Sequence, residues 1–384
     1  MTIRRQLINL GSRNTDYRVG PGALDELDRF VASAVGTPKR AVLVTQLAAD
    51  DALAVLARRA LVDAGFSVTD ATLPAQEDVS TLARATEVLA GFGRAGITAD
   101  DLVVGLGDAS LCGLAAFCAR VWLEGTACVL LPTTLDAMVT CGVYMRALDA
   151  GGVEEAVSVD PYPDMVVCDV DVVLAQGSRS DALKPGYLAL LAGAMAGGRV
   201  TWDRFGRSLP LLLEDSEAAF VEELASAQQT RRTVRNATNP SARSAFCYGR
   251  TTERALARCL PGDVPRWRLF AEGLRFESRL AVDAGRLDVD DVFEQDDRLD
   301  ALGAPELAFS LDVDTFVSAL KDARFERGNR FLFSLPRHVG TVRLTSVEED
   351  LLREHAEAYL ASRAELLGGS EGSGSPEKIG RAHV

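Results

Sequence analysis

Histidine is nearly missing from this chain. Its 384 residues contain three, His338, His355 and His383, all within the last fifty positions. A metal centre built on two histidines, or a histidine base anywhere in the first 337 residues, is thereby excluded. Positive charge is also scarce: 41 Lys and Arg face 55 Asp and Glu, a formal net charge of -14. Such a surface repels phosphate backbones and anionic lipid, so no nucleic-acid or membrane partner is expected. The seven cysteines, Cys112, Cys118, Cys128, Cys141, Cys168, Cys247 and Cys259, are odd in number and never spaced as CxxC. They read as reduced thiols in the core of a cytoplasmic protein. No uninterrupted apolar run is long enough to span a bilayer, because residues 111–131 are broken by Arg120 and Glu124. The opening MTIRRQLINLGS has charge but no apolar core, so it is not expected to be a signal peptide. Repeats at solenoid spacing are absent as well.

What is present is the composition of a folded protein, 47% hydrophobic and 25% charged, which leaves no room for extensive disorder in its body. The first half alternates β-branched runs with Ala/Leu-rich stretches, the pattern of parallel strands joined by crossover helices. Strands are expected at residues 41–45, 66–73, 101–107, 127–132 and 164–173. Helices are expected between them at 50–64, 78–92 with Ser80 as N-cap, and 111–123. Beyond Ser180 the pattern turns helical, at 187–196, 216–236, 252–259, 266–284, 315–321 and 347–366, with one strand at 331–336. The expected fold class is therefore α/β, with a Rossmann-like N-terminal domain over residues 1–175 and an all-helical C-terminal domain over 176–366.

Residues 367–384 form a Gly/Ser-rich tail expected to be disordered. Its end, Lys378 to Val384, can be encoded by the start of a common sequencing adapter. The expectation is that these last residues, His383 among them, are read-through and do not belong to the protein.

Three segments carry a resemblance: DLVVGLGDASLCGLAAF, VLLPTTLDAMVTCGV and MVVCDVDVV. With LPAQEDVSTL before them and FCYGRTTERALA, RWRLFAEGL and LKDARFERGNRFLFSLP after them, they resemble 3-dehydroquinate synthase and its sugar-phosphate-cyclase relatives over residues 5–340. The resemblance implies NAD on the N-terminal layer, one divalent metal on the helical domain, and cyclisation of a seven-carbon sugar-acid phosphate. It also implies a homodimer. A dinucleotide needs close backbone approach at a strand-to-helix turn, the metal acts as a Lewis acid, and the substrate's phosphate and carboxylate need Lys and Arg.

Residue by residue, much of that equipment is replaced. The glycine-rich turn GGGxxGD of the family reads Gly107, Asp108, Ala109, Ser110, Leu111, Cys112, Gly113, so one of the first three glycines remains and the cofactor aspartate is Gly113. Glu77, Gly107, Thr133 and Thr134 are the cofactor-binding candidates that survive. The acid expected six positions after PTT is Thr140, the following basic position is Arg146, and a GKN-like segment becomes Val153, Glu154 and Glu155. Of the implied metal ligands, the glutamate is Ala189, the first histidine Arg250 and the last Arg266; the intervening histidine is Arg254, and Arg268 takes the place of a further glutamate. A guanidinium has no lone pair to offer and repels a divalent ion, so no zinc is expected.

Two readings of the arginines remain open. Arg146, Arg250, Arg254, Arg266 and Arg268, with Lys321 and Arg324, could form an anion site for a small metabolite. Alternatively they pair with acids on their own helices, such as Glu253, Glu272 and Glu277. The function expected is that of a catalytically degenerate family member, with an anion or a partner protein in its cleft. The alternative is an active NAD-dependent cyclase, or an alcohol or glycerol dehydrogenase type of oxidoreductase with other ligands.

Overall fold

The computed structural model describes residues 3–11, 13–35, 40–75, 77–160 and 162–369. They form two compact units, Met1–Arg243 and Ser244–Val384. In the first, the strands are β1 (Arg4–Asn9), β2 (Asn14–Gly20), β3 (Arg40–Thr45), β4 (Ser67–Thr72), β5 (Leu102–Gly107), β6 (Ala127–Pro132), β7 (Leu148–Ala150), β8 (Val153–Val157) and β9 (Met165–Asp169). Its helices are α1 (Leu27–Val35), α2 (Ala52–Asp63), α3 (Leu82–Ala95), α4 (Ala109–Val121), α5 (Leu135–Thr140), α6 (Val170–Leu174), α7 (Lys184–Ala196), α8 (Arg199–Leu212), α9 (Glu217–Arg235) and α10 (Pro240–Arg243). Seven strands form one sheet in the order β1-β2-β9-β6-β5-β3-β4, parallel except for the β1/β2 hairpin, while β7 and β8 pair separately. The central strands β5 and β6 are apolar on both faces because helices cover both, as expected for parallel sheets.

The expected strand over 164–173 stops at Asp169. Its Oδ1 accepts from Asp171 N at 3.0 Å, which caps the short helix α6, and also accepts from Gly22 N. Ser80 is likewise not the N-cap of α3. Its hydroxyl donates to Asp78 and Asp149, while Thr81 Oγ1 accepts from Arg84 N at 3.2 Å and caps the helix.

The composition changes near residue 176, where strands end, but α7 to α9 belong to the first unit. Gln228 on α9 shows why. Its buried Nε2 donates to the carbonyls of Met138, Val139 and Cys141 at 3.1, 3.0 and 3.0 Å, closing the C-terminal end of α5. Helix α7 packs against the start of α5 so closely that a Cβ on Gly186 would lie 2.4 Å from Leu135 Cγ.

The second unit contains α11 (Arg250–Cys259), α12 (Arg266–Asp283), α13 (Val289–Ala301), α14 (Val313–Phe325), the antiparallel hairpin of β10 (Leu332–His338) and β11 (Thr341–Ser346), and α15 (Glu349–Gly369). Helix α12 is the central element, buried around most of its circumference. A second glycine is required here by a close crossing: a Cβ on Gly273 would lie 2.1 Å from Gly249 O. Several polar groups on α12 are answered internally. Glu272 Oε1 accepts from Leu307 N at 2.7 Å, and Arg275 donates to Asp300 and to Ala304 O. Helix α15 runs through Gly369, past the expected end at 366. The remainder of the expected tail, His383 included, lies outside the described residues.

Candidate functional site

In the first unit the candidates gather at the C-terminal ends of β5 and β6, where open α/β sheets place their ligands. Gly107 ends β5, and its carbonyl accepts from Thr133 N at 2.8 Å, so the two turns are tied together. Thr134 begins α5 but makes no side-chain capping bond. Asp108 is the N-cap of α4, its Oδ1 accepting from Leu111 N at 2.9 Å. A carboxylate therefore already sits at the positive end of this helix, the place where a phosphate would otherwise be held. Asp136 on the first turn of α5 adds a second acid. Burial pushes its carboxyl above the usual range, and the charge of Asp108 pushes the same way.

The glycines at this turn do not leave an open cradle. A Cβ on Gly107 would meet the Leu111 side chain at 2.7 Å, and one on Gly113 would meet Arg146 O at 2.4 Å. Both faces are filled by the protein's own atoms. Tested against a dinucleotide, the turn does not fit a pyrophosphate: the backbone approach is covered and the local charge is negative. Glu77 does not face this turn with a free carboxylate, because Arg84 pairs with it. Arg146 is paired as well, its Nη2 lying 3.3 Å from Asp149 Oδ2.

On α7, Ala189 and Ala192 are buried, contributing methyl groups to the packing of the first unit and no donor atoms to a metal. In the second unit the arginines gather around one acid. Arg250 Nη1 donates to Glu253 Oε2 at 2.7 Å, and Arg266 Nε donates to Glu253 Oε1 at 3.2 Å. Glu253 is buried, with its side chain 5% exposed, whereas the two arginines are partly open to solvent. Arg250 is held further by Phe270, whose ring centre lies 3.7 Å from the guanidinium carbon. Arg268 is half-buried on the first turn of α12.

Sequence reasoning named Glu277 as a partner for arginine, but the structure gives it another role. It is fully buried and accepts from Gly249 N at 2.7 Å, Thr252 N at 3.1 Å and Thr252 Oγ1 at 3.0 Å, so it closes the N-terminal end of α11 from a neighbouring helix. Burial pushes its carboxyl up to about 7, against these bonds and the charge of Arg254, which act to lower it. No local motif announces such a cap, because donor and acceptor lie 25 or more residues apart in sequence. Lys321 on α14 donates to Glu349 Oε1 at 2.6 Å, and the Arg324 guanidinium lies against Gly328.

Tested against a divalent ion, the positions Arg250 and Arg266 do not fit: two cations share one carboxylate, and neither can coordinate. Among the described residues no group of three or more His, Cys, Asp and Glu is placed to hold a metal. No described helix is long and apolar enough to cross a membrane.

Residues 70–181 match the family profile described as 3-dehydroquinate synthase N-terminal. The 3-dehydroquinate synthase of Corynebacterium jeikeium (strain K411) is 27% identical over 374 residues, covering 94% of this chain and 97% of that protein. Among solved structures, a 2-deoxy-scyllo-inosose synthase complexed with carbaglucose-6-phosphate, NAD+ and Co2+ superposes with a TM-score of 0.79 at 17% identity, covering 92% of this chain and 99% of the other. The 2-epi-5-epi-valiolone synthase of Streptomyces hygroscopicus subsp. jinggangensis 5008, with NAD+ and Zn2+ bound, gives a TM-score of 0.77 at 18% identity, covering 94% and 99%. At these identities the structural likeness establishes the fold: a Rossmann-like N-terminal part with a helical C-terminal part.

Proposed function

Given that this chain belongs to the 3-dehydroquinate synthase family, we propose that it is a member that no longer carries out the NAD- and metal-dependent cyclisation and acts by binding. The observation that carries this reading is the convergence of Arg250 and Arg266 on Glu253. At positions the family resemblance assigns to metal ligands, the chain has an internal ion triad. Removing a divalent ion from the mechanism removes the Lewis acid that would polarise the alcohol being oxidised and the carbonyl closing the ring. The turn at Gly107 and Asp108 supports the same reading, since it presents a carboxylate where a pyrophosphate needs donors.

The ligand class that fits the remaining cations is a small anion, with Lys321 and Arg324 as its contacts, in a homodimer of this chain. Both are partly buried on α14, and Lys321 is held by one exposed acid that a stronger anion could displace. A second reading, an active cyclase, is favoured by the near full-length match to a curated 3-dehydroquinate synthase. Metal analysis and calorimetry with NAD on the purified chain separate the two. Sub-stoichiometric zinc and cobalt after incubation, with no NAD-dependent turnover of a sugar-acid phosphate, are expected; stoichiometric metal with turnover overturns the proposal.

A further inference from the structure

The second unit contains a cavity of about 330 Å³ between the C-terminal end of α12, the start of α13 and the middle of α15. Its size is that of a pocket for a small organic molecule. The walls are apolar: Val282, Val289, Val292, Phe293 and Ala358. Val289 and Phe293 are 49% and 61% exposed at its mouth.

The polar groups at the cavity are mostly spent. Arg279 Nη2 donates to Asp296 at 2.6 Å and lies 3.5 Å from Glu306. Tyr359 OH is taken by Glu272, and Ser362 Oγ donates to Tyr359 O at 2.7 Å. His355 presents Nδ1 to Asp283 Oδ2 at 2.6 Å and Nε2 to Phe276 O at 3.1 Å; both partners accept, so making both bonds at once requires a proton on each ring nitrogen. The second oxygen of Asp283, Oδ1, meets no donor among the described residues, and the Asp283 side chain is 46% exposed.

Asp283 is also the last residue of α12, where the helix end carries partial negative charge of its own. The chain's net charge of -14 adds a longer-range field of the same sign. A charged imidazole at His355 weakens this preference, while Arg279 is answered by Asp296 and Glu306, which it shares with Arg275 and Arg363. From the free carboxylate oxygen above apolar walls, we infer that this cavity binds a small organic ammonium, its apolar body between α13 and α15 and its charged head on Asp283.

The test uses the full chain and two probes of the same shape and opposite charge, 2-phenylethylammonium and 3-phenylpropionate, followed by calorimetry and saturation-transfer NMR. The ammonium is expected to bind at least about tenfold more tightly than the carboxylate. Asp283→Asn should weaken the ammonium about tenfold and leave the carboxylate unchanged or improved. Because Asp283 also holds His355, a second variant guards against misfolding: Ala358→Trp, at an exposed position on α15, fills the cavity and should abolish binding of both probes. Equal binding of the two probes, unchanged affinity in either variant, or no ammonium binding to the natural chain up to about 10 mM overturns the inference.

Discussion

Arg250 and Glu253, one turn apart on α11, form an ion pair at 2.7 Å in which the carboxylate is buried and the guanidinium stacks on Phe270. Arg266 completes the pair from the first turn of α12, so one buried charge joins two helices. Glu253→Gln should remove the buried charge that the two guanidiniums share. Because the arginines are partly exposed, the expected loss is modest, about 1–2 kcal/mol in urea unfolding. The same variant should gain affinity for inorganic phosphate, read by calorimetry, because a negative charge between two guanidiniums is removed.

Asp108 both caps α4 and places a negative charge at its N-terminus. Asp108→Asn retains the cap, since the amide oxygen can accept from Leu111 N, and removes the charge. Stability should change by no more than about 0.5 kcal/mol, while NAD affinity should rise by about tenfold. An unchanged NAD titration would show that the filled faces of Gly107 and Gly113, and not the charge, decide the outcome.

The buried carboxyl of Glu277 titrates near 7, above its ordinary value of 4.5. The folded state therefore binds more protons than the unfolded chain between these values, and the contribution of this group is largest at low pH and lost as pH rises through about 7. In Glu277→Gln the pH dependence over this window should flatten by up to roughly 3 kcal/mol. At pH 5, where the natural carboxyl is protonated and resembles the amide, the variant should differ from it least. Thermal unfolding across pH 5 to 8 measures both effects.

Gly273 lies where α12 crosses the start of α11, with the Gly249 carbonyl 2.1 Å from its would-be Cβ. Gly273→Ala should force the helices apart and destabilise the chain by about 1–3 kcal/mol, despite the better helix propensity of alanine. Denaturant unfolding that shows no loss would mean the crossing is looser than these distances imply.

Much of the first unit was legible because its strands are apolar runs bounded by turns, and β3, β5 and β6 fall within a residue of their expected positions. Helices α8 and α13 were not foreseen. Each has an apolar face at helical spacing, Trp202, Phe205, Leu209 and Leu212 on the first and Val292 and Leu299 on the second, but Pro210 interrupts the one and a crowd of acids surrounds the other. Strands β2 and β11 were missed as the polar partners of hairpins, whose pairing depends on the neighbour and less on their own pattern.

The sequence by itself determined the alternation of strands and helices, the shortage of histidine and the presence of Ala189, Arg250 and Arg266 where the family resemblance implies ligands, because identity and local period are properties of the chain alone. Tertiary structure decided which charges meet. Glu253 was one of several acids an arginine might have found, and Glu277 turned from a candidate ion-pair partner into a helix cap. Asp283 acquired an unused oxygen beside an apolar cavity. Each of these outcomes depends on helices brought together from distant parts of the chain, and on burial that makes every unpaired charge costly enough to select its partner.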